Sequence, residues 1–161
     1  PVFHYGYEAF FERCQDVGID GIIIPDLPFE EKEEVDVVAS RYGIDLISMI
    51  APTSKERISK IAKGAKGFLY VVSSMGVTGE RTNITTDIGG MLKEIRSVSS
   101  VPAAVGFGIH TPDQAAEISK TADGVIVGSA VVKLIEKYGS HAGGHLYTYV
   151  RMMKEAVSHS E

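Results

Sequence analysis

Residues 101–118, VPAAVGFGIHTPDQAAEI, contain in order an apolar run, a Gly-x-Gly turn and a helix start. The run has hydrophobic side chains at nearly every position, which is typical of a strand covered on both faces of a parallel sheet. The triplet Thr111-Pro112-Asp113 signals a helix start, because threonine caps orphan amides and proline fits the first turn. The two glycines either turn the chain or let the backbone approach a ligand, and the stretch alone leaves both interpretations open.

Four further apolar runs repeat this signal along the chain. Together the five runs begin at residues 21, 44, 67, 101 and 123, a repeat of about 22 or 23 residues with one longer interval. Amphipathic segments lie between the runs, and this alternation predicts an α/β fold with a parallel sheet. The predicted inner helix faces are Val35, Val38, Ala39 and Tyr42; Ile58, Ile61 and Ala62; Met91, Leu92, Ile95 and Val98; and, near the end, Leu146, Val150, Met153 and Val157.

The segment before the first run does not fit the repeat. Residues 7–18 have the pattern of a helix whose Phe10, Phe11, Cys14 and Val17 need a sheet to cover them, yet no strand precedes this helix. A complete (β/α)8 barrel takes about 250 residues, whereas these 161 residues supply five units and one unpaired helix. The pattern therefore predicts either a smaller open sheet or part of a barrel.

Composition excludes several function classes. The chain is long enough for one domain, residues 1–161, and a net charge of −5 without a basic stripe argues against a nucleic-acid partner. The single cysteine, Cys14, cannot form an intrachain disulfide, and no run approaches the roughly 18 apolar residues of a membrane span. We therefore expect a cytoplasmic protein with no membrane partner. Ala-Gly-Gly separates His141 from His145 and disfavours a rigid metal-binding pair, so no metal site is predicted.

Candidate binding residues follow the predicted strands, because ligands of parallel α/β folds bind at the carboxyl edge of the sheet. Residues 73–83, SSMGVTGERTN, form a long polar loop typical of a mobile flap over a site. Gly108 and Gly128 each precede a helix, where unpaired amides attract an anion; tight turns without a ligand are the alternative. Tyr70 faces either the core or a ligand. Asp26 is a base, a substrate ligand or a helix cap, and capping or loop ordering is the commonest of these roles.

Taken in order, IIIPDLPFEE, IAPTS, GFLYVVSSMGVTGERT, VPAAVGFGIHTPDQA and GVIVGSAVVKLIE resemble the tryptophan synthase alpha subunit family over nearly the whole chain. The resemblance implies a TIM barrel, of which this chain supplies about units four to eight and the third helix. It also implies a lyase of tryptophan biosynthesis that cleaves indole-3-glycerol phosphate, in a retro-aldol step, to indole and glyceraldehyde 3-phosphate. The family carries no cofactor itself and works in an α2β2 heterotetramer, in which pyridoxal phosphate belongs to the beta subunit.

The resemblance also implies roles for individual residues. Asp26 and Pro28 match the loop that reports the ligand state to the beta subunit. Tyr70 matches a residue that lines the indole-glycerol pocket, and Thr78 matches the flap threonine that helps to close the site. The implied phosphate-binding residues are Gly79, Phe107, Gly108, Gly128 and Ser129.

The chain departs from the family pattern in its catalytic residues. The family's catalytic glutamate lies in a segment of the type E-L-G-x-P-F-S-D-P, with a catalytic aspartate beyond it, and this sequence has no such segment. We therefore expect that about a hundred residues of the barrel lie upstream of Pro1, and that this chain alone binds substrate without cleaving it. Two alternatives remain open: a non-catalytic module that regulates a beta subunit, and another phosphate-binding barrel such as a ribose-phosphate isomerase or epimerase.

Overall fold

Strands and helices alternate along the chain, as the spacing of the apolar runs predicts. The computed structural model describes residues 1–73, 87–106 and 108–158, and all strand pairs in this part of the chain are parallel. The prediction of an α/β fold with a parallel sheet is therefore confirmed. The strands are β1 (Gly21–Ile22), β2 (Asp45–Leu46), β3 (Ser48–Ile50), β4 (Leu69–Val72), β5 (Ala103–Gly106) and β6 (Gly124–Val125). The helices are α1 (Val2–Tyr5), α2 (Tyr7–Asp16), α3 (Lys32–Arg41), α4 (Lys55–Lys63), α5 (Ile88–Val98), α6 (Pro112–Ser119), α7 (Ser129–Tyr138) and α8 (Ala142–Ser158), with 3-10 turns at Phe29–Glu31 and Gly139–His141.

The strands follow one another across the sheet in chain order. β2 and β3 are two parts of one extended segment, separated by Ile47, and this segment pairs with β1 through β2 and with β4 through β3. The sheet continues from β4 to β5 and from β5 to β6. Because all strands run in the same direction, their carboxyl ends lie along one edge of the sheet.

Alternate residues of the central strands face the helices and form the main core. Successive side chains of a strand point to opposite faces, and the fully buried set lies on the helix side. On the opposite face, Met49, Tyr70 and Ala104 are only half-buried and are paired in register across β3, β4 and β5. The main core joins Ile50, Leu69, Val71, Ala103 and Val105 of the strands to Ile58, Ile61, Leu92, Ile95, Ala115 and Ile118 of α4, α5 and α6.

A second, smaller core holds α2 against α3 and β2. Phe11 and Cys14 of α2 are buried in it, as the helical pattern predicts, and Phe10 packs at its margin. The prediction that Val17 belongs to the buried face is wrong, because Val17 is 57% exposed. The reason is that α2 ends at Asp16, so Val17 has left the helical register.

The C-terminal helix begins earlier than predicted, and its predicted inner face is wrong at one residue, Val150. α8 starts at Ala142, and Val150, which was expected to face inward, is 54% exposed. Met153 is buried, and Tyr149 and Val157 pack beside it against the main core. The inner stripe therefore follows the i, i+4 series through Tyr149, Met153 and Val157. In the described part of the chain, no helix has the length and apolar character needed to cross a membrane.

The amino end of the sheet is fastened by Asp123, which directly precedes β6. One carboxylate oxygen of Asp123 accepts a hydrogen bond from the Ala103 amide at 2.9 Å, and the other accepts one from the Arg96 guanidinium at 3.3 Å. Asp123 thereby ties the starts of β5 and β6 to the last turn of α5. Ligands of parallel α/β folds bind at the carboxyl edge of the sheet, so the amino end is left to contribute stability.

The assignment of core residues predicts that an Ile→Ala substitution lowers the free energy of unfolding more in α5 than in α7. Ile95→Ala, at a fully buried residue of α5, should lower the free energy of unfolding by about 2–5 kcal/mol through lost burial and a cavity. Ile135→Ala, at a 47% exposed residue of α7, is the matched control and should cost less than about 1 kcal/mol. Urea unfolding followed by circular dichroism measures both, and equal losses would contradict the assignment.

Candidate functional site

The carboxyl ends of β4, β5 and β6 lie side by side, so the loops that follow them start from one place. Val72 is in register with Gly106, and Val105 is in register with Val125. The pairing extends one step further, because the Ser73 amide donates to the Gly106 carbonyl at 2.9 Å. This edge collects the residues that follow three consecutive strands.

The phenol of Tyr70 lies against the backbone of Gly106. A Cβ atom built on Gly106 would lie 2.3 Å from the Tyr70 Oη, 2.6 Å from its Cζ and 2.8 Å from its Cε1. Real Cβ atoms essentially never come within 3.0 Å of such neighbours. Gly106 is therefore needed for close approach by an aromatic ring, and its backbone does not use the left-handed region. The two interpretations of Tyr70 join here, because its half-buried ring both packs on the sheet and reaches the edge where the loops begin.

Burial raises the pKa of the Tyr70 phenol above its ordinary value of 10.0. The cause is desolvation, which disfavours the phenolate. Tyr70 is therefore uncharged at neutral pH, and its hydroxyl is available as a hydrogen-bond donor beside the end of β5.

The loop after β5 contains the second glycine of the pair, Gly108, which serves the turn. Gly108 has φ +81°, in the left-handed region that favours glycine. The loop then enters α6 through a capping box, in which the Thr111 hydroxyl accepts from the Gln114 amide at 3.3 Å and the Gln114 side chain accepts from the Thr111 amide at 3.2 Å. The predicted helix start at Thr111 is confirmed.

The helix after β6 begins without a side-chain cap. α4, α5 and α6 are capped by the side chains of Ser54, Asp87 and Thr111, whereas α7 has Gly128 at its N-cap and Ser129 as its first residue. The first amides of a helix have no acceptor within the helix, and the helix dipole adds partial positive charge there. The α7 terminus therefore presents donors suited to an anion, at the end of the strand that neighbours β5.

The loop after β1 carries Asp26 and Pro28, and both side chains are exposed. Asp26 lies in a turn closed by the Leu27 amide, which donates to the Ile24 carbonyl at 3.1 Å. Of the two commonest roles, helix capping is wrong for Asp26, because no side chain caps the 3-10 turn or α3, which follow it. Pro28 is the N-cap of the 3-10 turn and borders a cavity of about 430 Å³ that also touches Met49 and Val72.

Hydrogen bonds to α4 and β3 hold the end of this loop in place. The Arg57 guanidinium of α4 contacts both carboxylate oxygens of Glu30, at 2.9 and 3.4 Å. Lys32 donates to the Ser48 hydroxyl of β3 at 2.8 Å and to the Gly64 carbonyl at 3.3 Å. Burial lowers the pKa of the Lys32 ammonium, but these two acceptors compensate for part of the lost hydration. The loop is thus fixed to α4 and β3 while Asp26 stays exposed.

The remaining candidates are distributed unevenly. Thr78, Gly79 and Phe107 lie outside the described residues.

Met49 was not singled out from the sequence, although the alternation within residues 44–50 could have placed it on the same face as Tyr70. In the described ranges no three His, Cys, Asp or Glu side chains come together as a metal site. His145 stacks on the Tyr138 ring with centroids 3.6 Å apart.

The contact between Tyr70 and Gly106 predicts that the two positions are energetically coupled. Gly106→Ala should cost about 1–3 kcal/mol of unfolding free energy, because the new methyl group displaces the phenol. In a Tyr70→Ala background the same change should cost less than about 0.5 kcal/mol, which a double-mutant cycle measures directly. Gly124→Ala is the matched control, since its Cβ would lie 3.4 Å from the Ala104 Cβ, an ordinary contact. Additive effects of the two substitutions would contradict the contact.

The raised pKa of Tyr70 predicts a loss of stability in alkali. The folded chain keeps the phenolic proton to higher pH than the unfolded chain, so stability falls as pH rises above about 10. Tyr70→Phe has no proton to lose at this position, and its unfolding free energy should therefore fall less between pH 9 and pH 11, a window set by the ordinary tyrosine pKa of about 10. Urea unfolding at both pH values measures the difference, and parallel declines would show that Tyr70 titrates normally.

Comparison with known proteins agrees with the fold and with the order of the loops. A sequence model described as tryptophan synthase alpha chain matches residues 1–158. The tryptophan synthase alpha chain of Lacticaseibacillus casei is 49% identical over 156 residues, which make up 97% of this chain and 59% of that protein. The solved structure of Mycobacterium tuberculosis tryptophan synthase superposes with a TM-score of 0.85 at 32% identity, covering 98% of this chain and 59% of that one. A structure described as the mutually activated tryptophan synthase α2β2 complex of Pyrococcus furiosus has a TM-score of 0.85 at 31% identity, with coverages of 96% and 63%.

These matches decide between the two folds left open by the sequence. The structural neighbours are TIM barrels, and the chain spans about 59% of the length of the relatives it matches, so its five consecutive strand positions are part of a barrel. The family is shown by the sequence model, which covers nearly the whole chain, and by relatives that are close to half identical to it. The chain belongs to the tryptophan synthase alpha chain family.

Proposed function

We propose that this chain carries the phosphate-binding and indole-binding side of a site for cleavage of indole-3-glycerol phosphate to indole and glyceraldehyde 3-phosphate. The observation that carries the proposal is the arrangement at the carboxyl edge of the sheet. There the Tyr70 phenol lies on Gly106, one strand away from the uncapped start of α7. An aromatic ring against the end of β5 and a helix terminus after β6 thus lie at the same edge of the sheet, as a ligand with an indole ring and a phosphate requires.

The phosphate is the part of the substrate that this edge fits best. Gly108 and Gly128 have no side chains to obstruct an approaching oxygen, and Ser129 adds a hydroxyl at the first turn of α7. A helix terminus stabilises an anion by about 0.3–1 kcal/mol when exposed and by more when water is excluded. We infer that Gly79 and Phe107 complete the phosphate site and that Thr78 helps to close it, as the family resemblance implies.

The indole ring is expected on the open face of the sheet. Tyr70 and Met49 are half-buried neighbours on that face. Met49 also borders the cavity of about 430 Å³, whose lining includes Lys32, Ser48 and Ile61 but not Tyr70. Apolar and aromatic walls with one polar tip are typical of small-molecule pockets. In this arrangement Tyr70 supplies ring contact together with an uncharged hydroxyl.

Cleavage needs groups beyond those that bind the substrate. The bond between indole C3 and the glycerol chain breaks while C3 gains a proton and the glycerol hydroxyl loses one, which is work for a paired acid and base. Carboxylates of the described loops are otherwise engaged or outward: Asp87 accepts from the Gly90 amide at 2.8 Å, Glu30 pairs with Arg57, and Asp26 is exposed. We infer that the proposed binding residues at the carboxyl edge hold the substrate without stabilising its transition state.

We also propose a beta subunit as the partner, in an α2β2 assembly whose pyridoxal phosphate belongs to that subunit. The exposed Asp26 and Pro28 offer a contact surface, and the Glu30–Arg57 pair and the Lys32 hydrogen bonds anchor the residues that follow it. A preorganised loop binds with a smaller entropic cost than a flexible one. Residues 1–161 would act as one domain in this assembly, in the cytoplasm where small-molecule biosynthesis takes place.

Calorimetric titration of the chain with indole-3-glycerol phosphate tests the proposal. Ser129→Asp should weaken binding at least about tenfold, because a carboxylate at the α7 terminus repels the phosphate while suiting the helix dipole. Ser140→Asp adds the same charge at an exposed residue before α8 and should leave binding unchanged. Assay of the same mixture should detect no indole release. Equal affinities for both variants would place the phosphate elsewhere, and indole release by pure chain would refute binding without cleavage.

A further inference from the structure

The loop after β5 is held by side chains that come from three directions. The Gln114 side chain accepts from two successive amides, those of His110 at 3.0 Å and Thr111 at 3.2 Å. The hydroxyl of Tyr149 donates to the His110 carbonyl at 2.9 Å. The His110 ring in turn contacts the Gly108 carbonyl through Nδ1 at 2.9 Å. The loop backbone from Gly108 to Thr111 is therefore fixed by contacts that the capping box alone does not provide.

Tyr149 brings a distant part of the chain to this loop. It lies on α8, and its ring packs against the main core beside the buried Met153. The packed ring gives the hydroxyl a defined position, so the His110 carbonyl is held by a rigid donor. The last helix of the chain thus controls the backbone geometry two residues after Gly108.

The His110 ring determines the orientation of the peptide that follows Gly108. A carbonyl oxygen can only accept, so His110 Nδ1 carries the proton in this contact. Because the peptide group is planar and trans, a fixed Gly108 carbonyl also fixes the Ile109 N–H in the opposite direction. Ile109 is buried, which anchors the other side of the same peptide.

We propose that Tyr149 and His110 are positioning residues for the phosphate loop: they hold the Gly108 backbone in its binding conformation without contacting the ligand. The inference rests on the proposed phosphate site at Gly108. Affinity depends on how much of the bound geometry exists before binding, so contacts that order the loop in advance tighten phosphate binding. An effect on the phosphate-bearing end of a ligand, with no effect on the indole end, distinguishes this role from a general contribution to folding.

The experiment compares matched variants by titration with glycerol 3-phosphate and, separately, with indole. Tyr149→Phe removes one hydroxyl and keeps the packed ring, and it should weaken glycerol 3-phosphate binding about fivefold, the equivalent of one hydrogen bond. Tyr147→Phe is the control on the same helix, because Tyr147 is 71% exposed. The affinity for indole should not change in either variant.

A second series tests the ring of His110. His110→Leu removes the donor and should weaken glycerol 3-phosphate binding to a similar extent, whereas His110→Asn keeps an N–H close to the place of Nδ1 and should restore it. Amide hydrogen exchange at Ile109 should be faster in Tyr149→Phe and His110→Leu than in the unmodified chain.

The outcomes separate the inference from the proposed function. If the unmodified chain binds no glycerol 3-phosphate, the proposed phosphate site fails and the inference fails with it. If the unmodified chain binds and Tyr149→Phe binds equally well, only the positioning role is overturned. Equal weakening of glycerol 3-phosphate and indole binding would also overturn it, because that result indicates a general structural role.

Discussion

The parallel, in-register pairing of β4 with β5 is the constraint on which the rest of the structure depends. It places Val72 beside Gly106, and with it Tyr70 on the same face as Ala104, so that the phenol reaches the last residue of β5. A shift of one residue would turn every side chain of the strand to the other face and remove both the core contacts of Val71 and the approach of Tyr70 to Gly106. One pairing therefore determines the packing on the helix side and the geometry on the ligand side.

The amino and carboxyl ends of the sheet are held by different kinds of contact. At the amino end, Asp123 joins β5, β6 and α5 through two hydrogen bonds. At the carboxyl end, the loops are held from outside by helices: Arg57 holds Glu30, Gln114 holds the entry to α6, and Tyr149 holds the His110 carbonyl. The described segments after β1 and β5 are thereby tied to the helices beside them. The α7 terminus, by contrast, has no side-chain cap.

The local parts of the fold were predictable, and the long-range contacts were not. Apolar runs and helix-start residues such as Thr111 are short-range signals, and the structure has the strands and the cap where those signals lie. The error at α8 arose because Val150 and Tyr149 both fit an i, i+4 series, and only packing against α6 and the sheet selects between them. Helix capping was one of the roles predicted for Asp26 because aspartate often caps helices, but Pro28 occupies the N-cap of the next turn. The contact of Tyr70 with Gly106 could not be read from either segment, since it depends on the register between two strands.

The fit of the Tyr70 ring onto Gly106 has a consequence for how such sequences can diverge. The two positions share one volume, so a larger side chain at 106 requires the Tyr70 ring to move or a smaller residue at 70. Position 106 therefore cannot change without an effect on position 70. Among homologous chains, the last residue of this strand and the aromatic residue of its neighbour should therefore vary as a pair, and their covariation would reveal a contact that neither residue reveals alone.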